Sequence, residues 1–141
     1  MLNDIVDGIS EKLNETFGDD YEIYTEQVKQ GLQEPCFTVS CISPASMQVI
    51  GNRYLRRNLF SVKYFPQDST NAKSEYLDVQ DKLFLALEYI TAGGDLMRGT
   101  DMNGQFVDGV LVFMVNYDFF VRGIIENEPI ETLETVRKVE E

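Results

Sequence analysis

Between Val110 and Val121, large apolar side chains occupy every second position: Leu111, Phe113, Val115, Tyr117, Phe119 and Val121. A period of two places them on one face of an extended strand, whereas a helix would scatter them around its circumference. The opposite face begins apolar, with Val110, Val112 and Met114, and turns polar at Asn116 and Asp118. Such a strand is buried on both sides where it starts and protrudes from the sheet where it ends. The chain is thereby committed to a layered architecture in which other elements cover this sheet.

The covering elements are legible as helical periodicity. Leu2, Ile5, Val6, Ile9, Leu13 and Phe17 form one stripe over residues 2–17, with Asn3 or Asp4 as cap and Gly18 as terminator. Gly8 inside that helix costs about 1 kcal/mol relative to Ala unless close packing requires it. A second helix is expected over 71–91, opened by the Asp68-Ser69-Thr70-Asn71 cap region and closed by Gly93-Gly94. Its buried stripe is Tyr76, Val79, Leu83, Leu87 and Ile90.

Strands are expected at 21–28, at 36–42 (broken by Ser43-Pro44-Ala45-Ser46) and at about 54–65, ended by Pro66. Two more are expected at 95–102 and 105–122, joined at Asn103-Gly104, a strong hairpin signal, with Asp108-Gly109 as a bulge or second bend. The order is α-β-β-β-α-β-β: an α+β domain with a mostly antiparallel sheet and two helices packed on one face.

With 141 residues, 43% of them apolar, the chain has material for a single core. The expected division is one domain over 1–122 and an acidic segment over 123–141, where six Glu face only Arg137 and Lys138. That segment reads either as a solvated tail or as a docking arm with Ile130, Leu133 and Val136 on a neighbouring subunit. No apolar run approaches membrane-spanning length, and the first residues lack the basic and apolar regions of a signal peptide, so cytoplasmic synthesis is expected.

The chain contains no histidine, which removes the usual general base and zinc ligand. Asp78 and Asp81 are neighbours on the second helix, but no calcium-loop pattern surrounds them. Neither Ser40 nor Ser61 is flanked by glycines as in a nucleophile elbow, and Gly93-Gly94 follows a helix instead of opening one. No catalytic, cofactor or metal site is expected. Cys36 and Cys41 lie an odd number of residues apart, hence on opposite strand faces, and read as free thiols.

Charge is unevenly distributed. The chain has 24 acids and 12 bases, a net charge of −12, yet residues 35–67 contain no acid and carry Arg53, Arg56, Arg57 and Lys63. Three readings apply to Arg53, Tyr54, Arg56 and Arg57: an edge strand protected by charge, a contact with an acidic protein surface, or a small nucleic-acid footprint. The acidic balance opposes nonspecific attraction to DNA or anionic lipid.

The stretch from Leu2-Asn3-Asp4-Ile5 through Phe17-Gly18-Asp19, then Ile23-Tyr24 and Gln30-Gly31-Leu32-Gln33-Glu34-Pro35-Cys36-Phe37, resembles small tail-module proteins of long-tailed phages and prophages of Gram-positive bacteria. Gly51-Asn52-Arg53-Tyr54 with Phe60 and Tyr64-Phe65-Pro66 resembles a second signature of the same family. The resemblance implies a tail terminator, or tail completion protein. Such proteins form a ring, typically hexameric, that caps the tail tube, stops its growth and receives the DNA-filled head. It implies an α+β fold, no catalytic residues and no cofactor. The implied partners are copies of the chain itself, the tail tube protein and head–tail connector proteins, with DNA passing through the ring without specific recognition. The implied location is the host cytoplasm during assembly, then the virion tail. Beside this stand another head–tail connector component, a nucleic-acid or small-ligand binding module and, last, an enzyme. The candidate subunit interface is Arg53, Tyr54, Arg56 and Arg57.

Overall fold

The structure, a computed structural model, describes residues 2–25, 33–67, 72–124 and 138–140. Helix α1 (Leu2–Phe17) has the expected bounds and buries Ile5, Ile9 and Leu13. Gly18 adopts φ 83 and its N–H donates to Asn14 O at 2.9 Å, the left-handed cap that a residue without Cβ supplies at least cost. Strand β1 (Glu22–Tyr24) pairs parallel to β2 (Cys36–Ile50), and β2 pairs antiparallel to β3 (Arg53–Phe65). Helix α2 (Ala72–Ala86) leads into β4 (Tyr89–Ala92), β5 (Asp95–Val107), β6 (Val110–Tyr117) and β7 (Phe119–Ile124). Lys138–Glu140 form β8, antiparallel to β7. The sheet order is β1-β2-β3-β6-β5-β4, with β7 continuing beyond β6 on the same side of β3.

Both helices pack on one face. Phe37, Val39, Phe60, Val62, Tyr64, Leu111, Phe113, Val115 and Tyr117 rise from the sheet into a single core with Ile5, Ile9, Leu13, Val79 and Leu83 from the helices. An aromatic group of Phe17, Tyr21, Phe37, Tyr64 and Tyr76 links helix ends to sheet, with neighbouring ring centroids 4.8–6.5 Å apart.

Several boundaries differ from the sequence expectation. The second helix ends at Ala86, well short of 91, and Ile90 is buried from strand β4 instead. Tertiary hydrogen bonds explain the stop: Tyr117 Oη donates to Leu87 O at 2.6 Å and Gly99 N donates to Glu88 O at 2.7 Å, fixing carbonyls at the helix end. Gly93-Gly94, with φ 58 and 87, turns β4 into β5 and is not a helix cap.

The second difference is the β5–β6 hairpin. It turns at Asp108-Gly109 (φ 50 and 78), while Asn103 and Gly104 pair within the ladder with Met114 and Phe113. Both dipeptides suit a two-residue turn; packing chooses between them. A Cβ on Gly104 would lie 2.4 Å from Gln80 Oε1 of α2, and Phe106, which a turn at 103–104 would displace, stacks on Tyr76 at 4.8 Å.

Third, Ser43-Pro44-Ala45-Ser46 does not break β2. The strand runs on to Ile50 and turns at Gly51-Asn52 into Arg53. Proline is tolerated because β1 covers only Cys36–Thr38, so the missing N–H leaves no ladder bond unmade on the open side. Asp118 interrupts the expected long final strand, giving β6 and β7. Of the expected first strand only Glu22–Tyr24 is observed; 26–28, and most of the acidic segment at 125–137, lie outside the described residues.

Gly8 resolves the question its helix posed. A Cβ there would sit 2.5 Å from Thr91 O, so α1 rides against the backbone of β4. Gly8→Ala gains about 1 kcal/mol of helix propensity but forces α1 off the sheet at a cost of about 1–3 kcal/mol. The variant is expected to melt at a lower temperature than wild type; an unchanged or raised Tm would show that the contact is soft.

Cys36 and Cys41 are free and lie on opposite faces of β2, as their spacing requires. Burial, then Glu34 and Glu22, pushes the Cys36 thiol up from 9.0 to about 11. The folded state therefore holds this proton more tightly than the unfolded chain. Its contribution to stability is complete below pH 9.0 and declines as pH rises toward about 11. Cys36→Ser is expected to flatten the alkaline fall of Tm across that window, measured by thermal melts from pH 8 to 11.

Candidate assembly surface

Strand β3 outruns the helices. Its second half, Leu59–Tyr64, pairs with β6 over the core; its first part, Arg53–Arg56, pairs with β2 on one side and β7 on the other. The result is an arm of β2, β3 and β7, edged at Arg122–Ile124 by β8, that extends the sheet. One sequence reading of Arg53, Tyr54, Arg56 and Arg57 was an edge strand protected by charge. The structure instead places this stretch in the middle of the arm, because the apolar alternation of Phe119 and Val121 continues the β3 ladder beyond the core.

The join is made by polar groups. Asn58, fully buried, donates from Nδ2 to Tyr117 O at 3.0 Å, and its N–H donates to Asp118 Oδ1 at 3.4 Å. Asp118 also receives Arg57 Nε at 3.4 Å, and Arg57 reaches Asp101 at 3.7 Å. A buried amide holding a carbonyl where two strands separate keeps β7 in line with β6.

Alternation divides the candidate residues between two faces. Tyr54 and Arg56 point to the helix side: Tyr54 is only 8% exposed, and the Arg56 guanidinium lies 5.8 Å from the Phe119 ring centroid. Arg53 and Arg57 point to the outer side, where Arg53 covers the Phe120 ring at 4.8 Å. The four residues therefore form no single patch. The outer face gains what the sequence reading missed: Arg122 stands directly opposite Arg53, and Met47, Ile50 and Phe120 are exposed around them at 56%, 70% and 57%. Arg122 was discoverable as the next residue of the alternating strand. Met47 and Ile50 were hidden by reading Ser43-Pro44 as the end of β2.

This surface has no acid–base–nucleophile arrangement, and among the described residues no group of His, Cys, Asp and Glu could hold a metal ion. An open cleft of about 440 Å³ lies between α1 and α2, lined by Phe17, Tyr21, Glu75, Asp78 and Lys82. Lys82 there rests against the Phe17 ring at 5.8 Å. Among the described residues no helix is long and apolar enough to cross a membrane.

If Asn58 joins arm to core, Asn58→Ala should cost about 1–3 kcal/mol, since it strands the Tyr117 carbonyl. Amide exchange should then accelerate more in β7 than in β6; equal acceleration in both would remove the joining role.

A family model described as phage tail terminator protein matches residues 4–129. No curated protein matches the chain significantly. One solved structure aligns over 85% of this chain and 94% of its own at 13% identity and a TM-score of 0.45. The family match takes in both helices and the sheet from β1 to β7. The chain belongs to the phage tail terminator family and is a structural component of the virion tail.

Proposed function

We propose that this protein is a non-enzymatic tail terminator whose copies join head to tail in a ring that caps the tail tube and forms the surface on which the head docks. The arm is the contact between neighbouring copies. The observation that carries this reading is the outer face of the arm. Arg53 and Arg122 stand opposite each other in register, and Glu140 of β8 stands opposite Arg122 on its other side, so the row holds two arginines to one acid and keeps one like-charged contact. Met47, Ile50 and Phe120 are exposed beside them. An acidic partner surface would relieve the repulsion and cover the apolar side chains.

The chain can itself supply that partner. Outside residues 35–67 it carries all 24 acids against eight bases. Contact between unlike surfaces is heterologous, and such contacts close into rings when the rotation permits. Arg53 and Arg57 serve the contact directly, while Tyr54 and Arg56 support it from the helix side. The same excess of acid suits a ring through which DNA passes without adhering.

Arg53→Glu combined with Arg122→Glu tests this cleanly. The sign toward the partner reverses; because Arg122→Glu also meets Glu140 of β8, the melting temperature of the isolated subunit is measured alongside to separate a folding effect from an assembly effect. Assembly, followed by sedimentation and by negative-stain microscopy with tail tubes, should weaken by roughly tenfold or more, as loss of a paired charge contact does. A variant that forms rings and caps tubes like wild type would exclude the arm as the contact.

A further inference from the structure

The proposed ring leaves open how one copy grips the next, and the sheet edges carry an answer. Natural edge strands are protected by charge, by proline, by bulges, by brevity or by a covering element; β2 carries Pro44 and two register shifts but no charge. In β2, β1 covers only Cys36–Thr38; among the described residues no strand pairs with its outer edge from Val39 to Ile50. That edge is uncharged: no Asp, Glu, Lys or Arg occurs from Pro35 to Asn52. Its exposed side chains include Ile42, Met47, Val49 and Ile50, at 50–70%. Register shifts fall at Cys41/Ser43 and Gln48/Ile50, so Ser43–Gln48 between them is regular strand.

The sheet has a second open edge. Strand β4 covers β5 only at Asp95–Arg98, and among the described residues nothing pairs with the outer side of β5 from Thr100 to Val107. Beyond the irregularity at Thr100/Asn103, Asn103–Val107 is again regular strand.

We infer that these two edges pair with each other in trans: Ser43–Gln48 of one copy accepts Asn103–Val107 of a second copy as an added antiparallel strand. Three observations favour this occupant. The ladders β2·β3, β3·β6 and β6·β5 are all antiparallel, so β2 and β5 of one copy run in opposite directions. A second copy added in the same orientation therefore continues the alternation. The covered parts also avoid each other. With Ser43 beside Val107 of the second copy, that copy's β4, which lines Asp95–Arg98, falls past the Gly51-Asn52 turn where β2 has ended. Charge agrees as well. The same register brings Asp101 of the second copy toward Ile50 and the Arg53–Arg122 pair.

This inference rests on the self-assembly reading above and specifies its contact. Strand addition has a signature that burial of a face lacks: alternate backbone amides, those not already bonded within the subunit, become protected. Hydrogen exchange resolved by residue should be compared between the assembled protein and the same chain diluted to the subunit. The outward amides of Ser46 and Gln48 in β2 (Pro44 has none) and alternate amides of Asn103–Val107 should slow by at least roughly tenfold on assembly. Assembly without protection at these edges would overturn the edge pairing while leaving the ring reading intact. Protection of the β2 edge alone would point to a β2–β2 contact and overturn the pairing with β5. A chain that stays a single subunit at every concentration and beside tail tubes would defeat both.

Discussion

Strand β3 is the element on which the rest of the molecule depends. It is flanked along most of its length: by β2 on one side, and by β6 and then β7 on the other. Its second half carries Phe60, Val62 and Tyr64 into the core, and its first part carries the arginines onto the arm. Because β6 and β7 keep one register against it across Asp118, the arm is a rigid continuation of the core sheet. The energetic basis is unequal along its length. Over the core, burial of large side chains contributes about 1.5–3 kcal/mol each. At the join, a buried amide, a carboxylate and an arginine do the holding.

The arm is also where the chain departs from what a lone globular domain prefers. It places like charges in register, exposes three large apolar side chains on one face and leaves an uncharged edge open. Each is a cost or a hazard for an isolated subunit, and all three sit within the same extension. In the proposed assembly, features that are unfavourable in the free subunit become contacts between copies.

Fold class, both helices and the strands over the core were legible because their signals are local and periodic. Leu2 to Phe17 could form one amphipathic helix, and the alternation after Val110 could form one kind of strand. Where two local answers were equally good, the reading failed. Asn103-Gly104 and Asp108-Gly109 both suit the hairpin turn, and only the fit of Gly104 beneath Gln80 separates them. Leu83, Leu87 and Ile90 continue a helical period, and only the hydrogen bonds from Tyr117 and Gly99 end the helix. Pro44 forbids a fully paired strand but not an edge, and which strands are edges is a property of the whole sheet.

The basic segment shows the same division. Its location, its lack of acids and its contrast with the rest of the chain are properties of composition, available without any coordinates. Alternation even implies that Arg53 and Arg57 share a face that Arg56 does not. What the sequence alone could not decide is what lies beside them. Arg122 and Phe120 are far away along the chain and adjacent in space only because β7 joins β3. The sequence determined the elements and the charge, since both are set by neighbouring residues. The tertiary structure decided the faces, the edges and therefore the surface available to a partner, since strand pairing connects residues that the chain itself keeps apart.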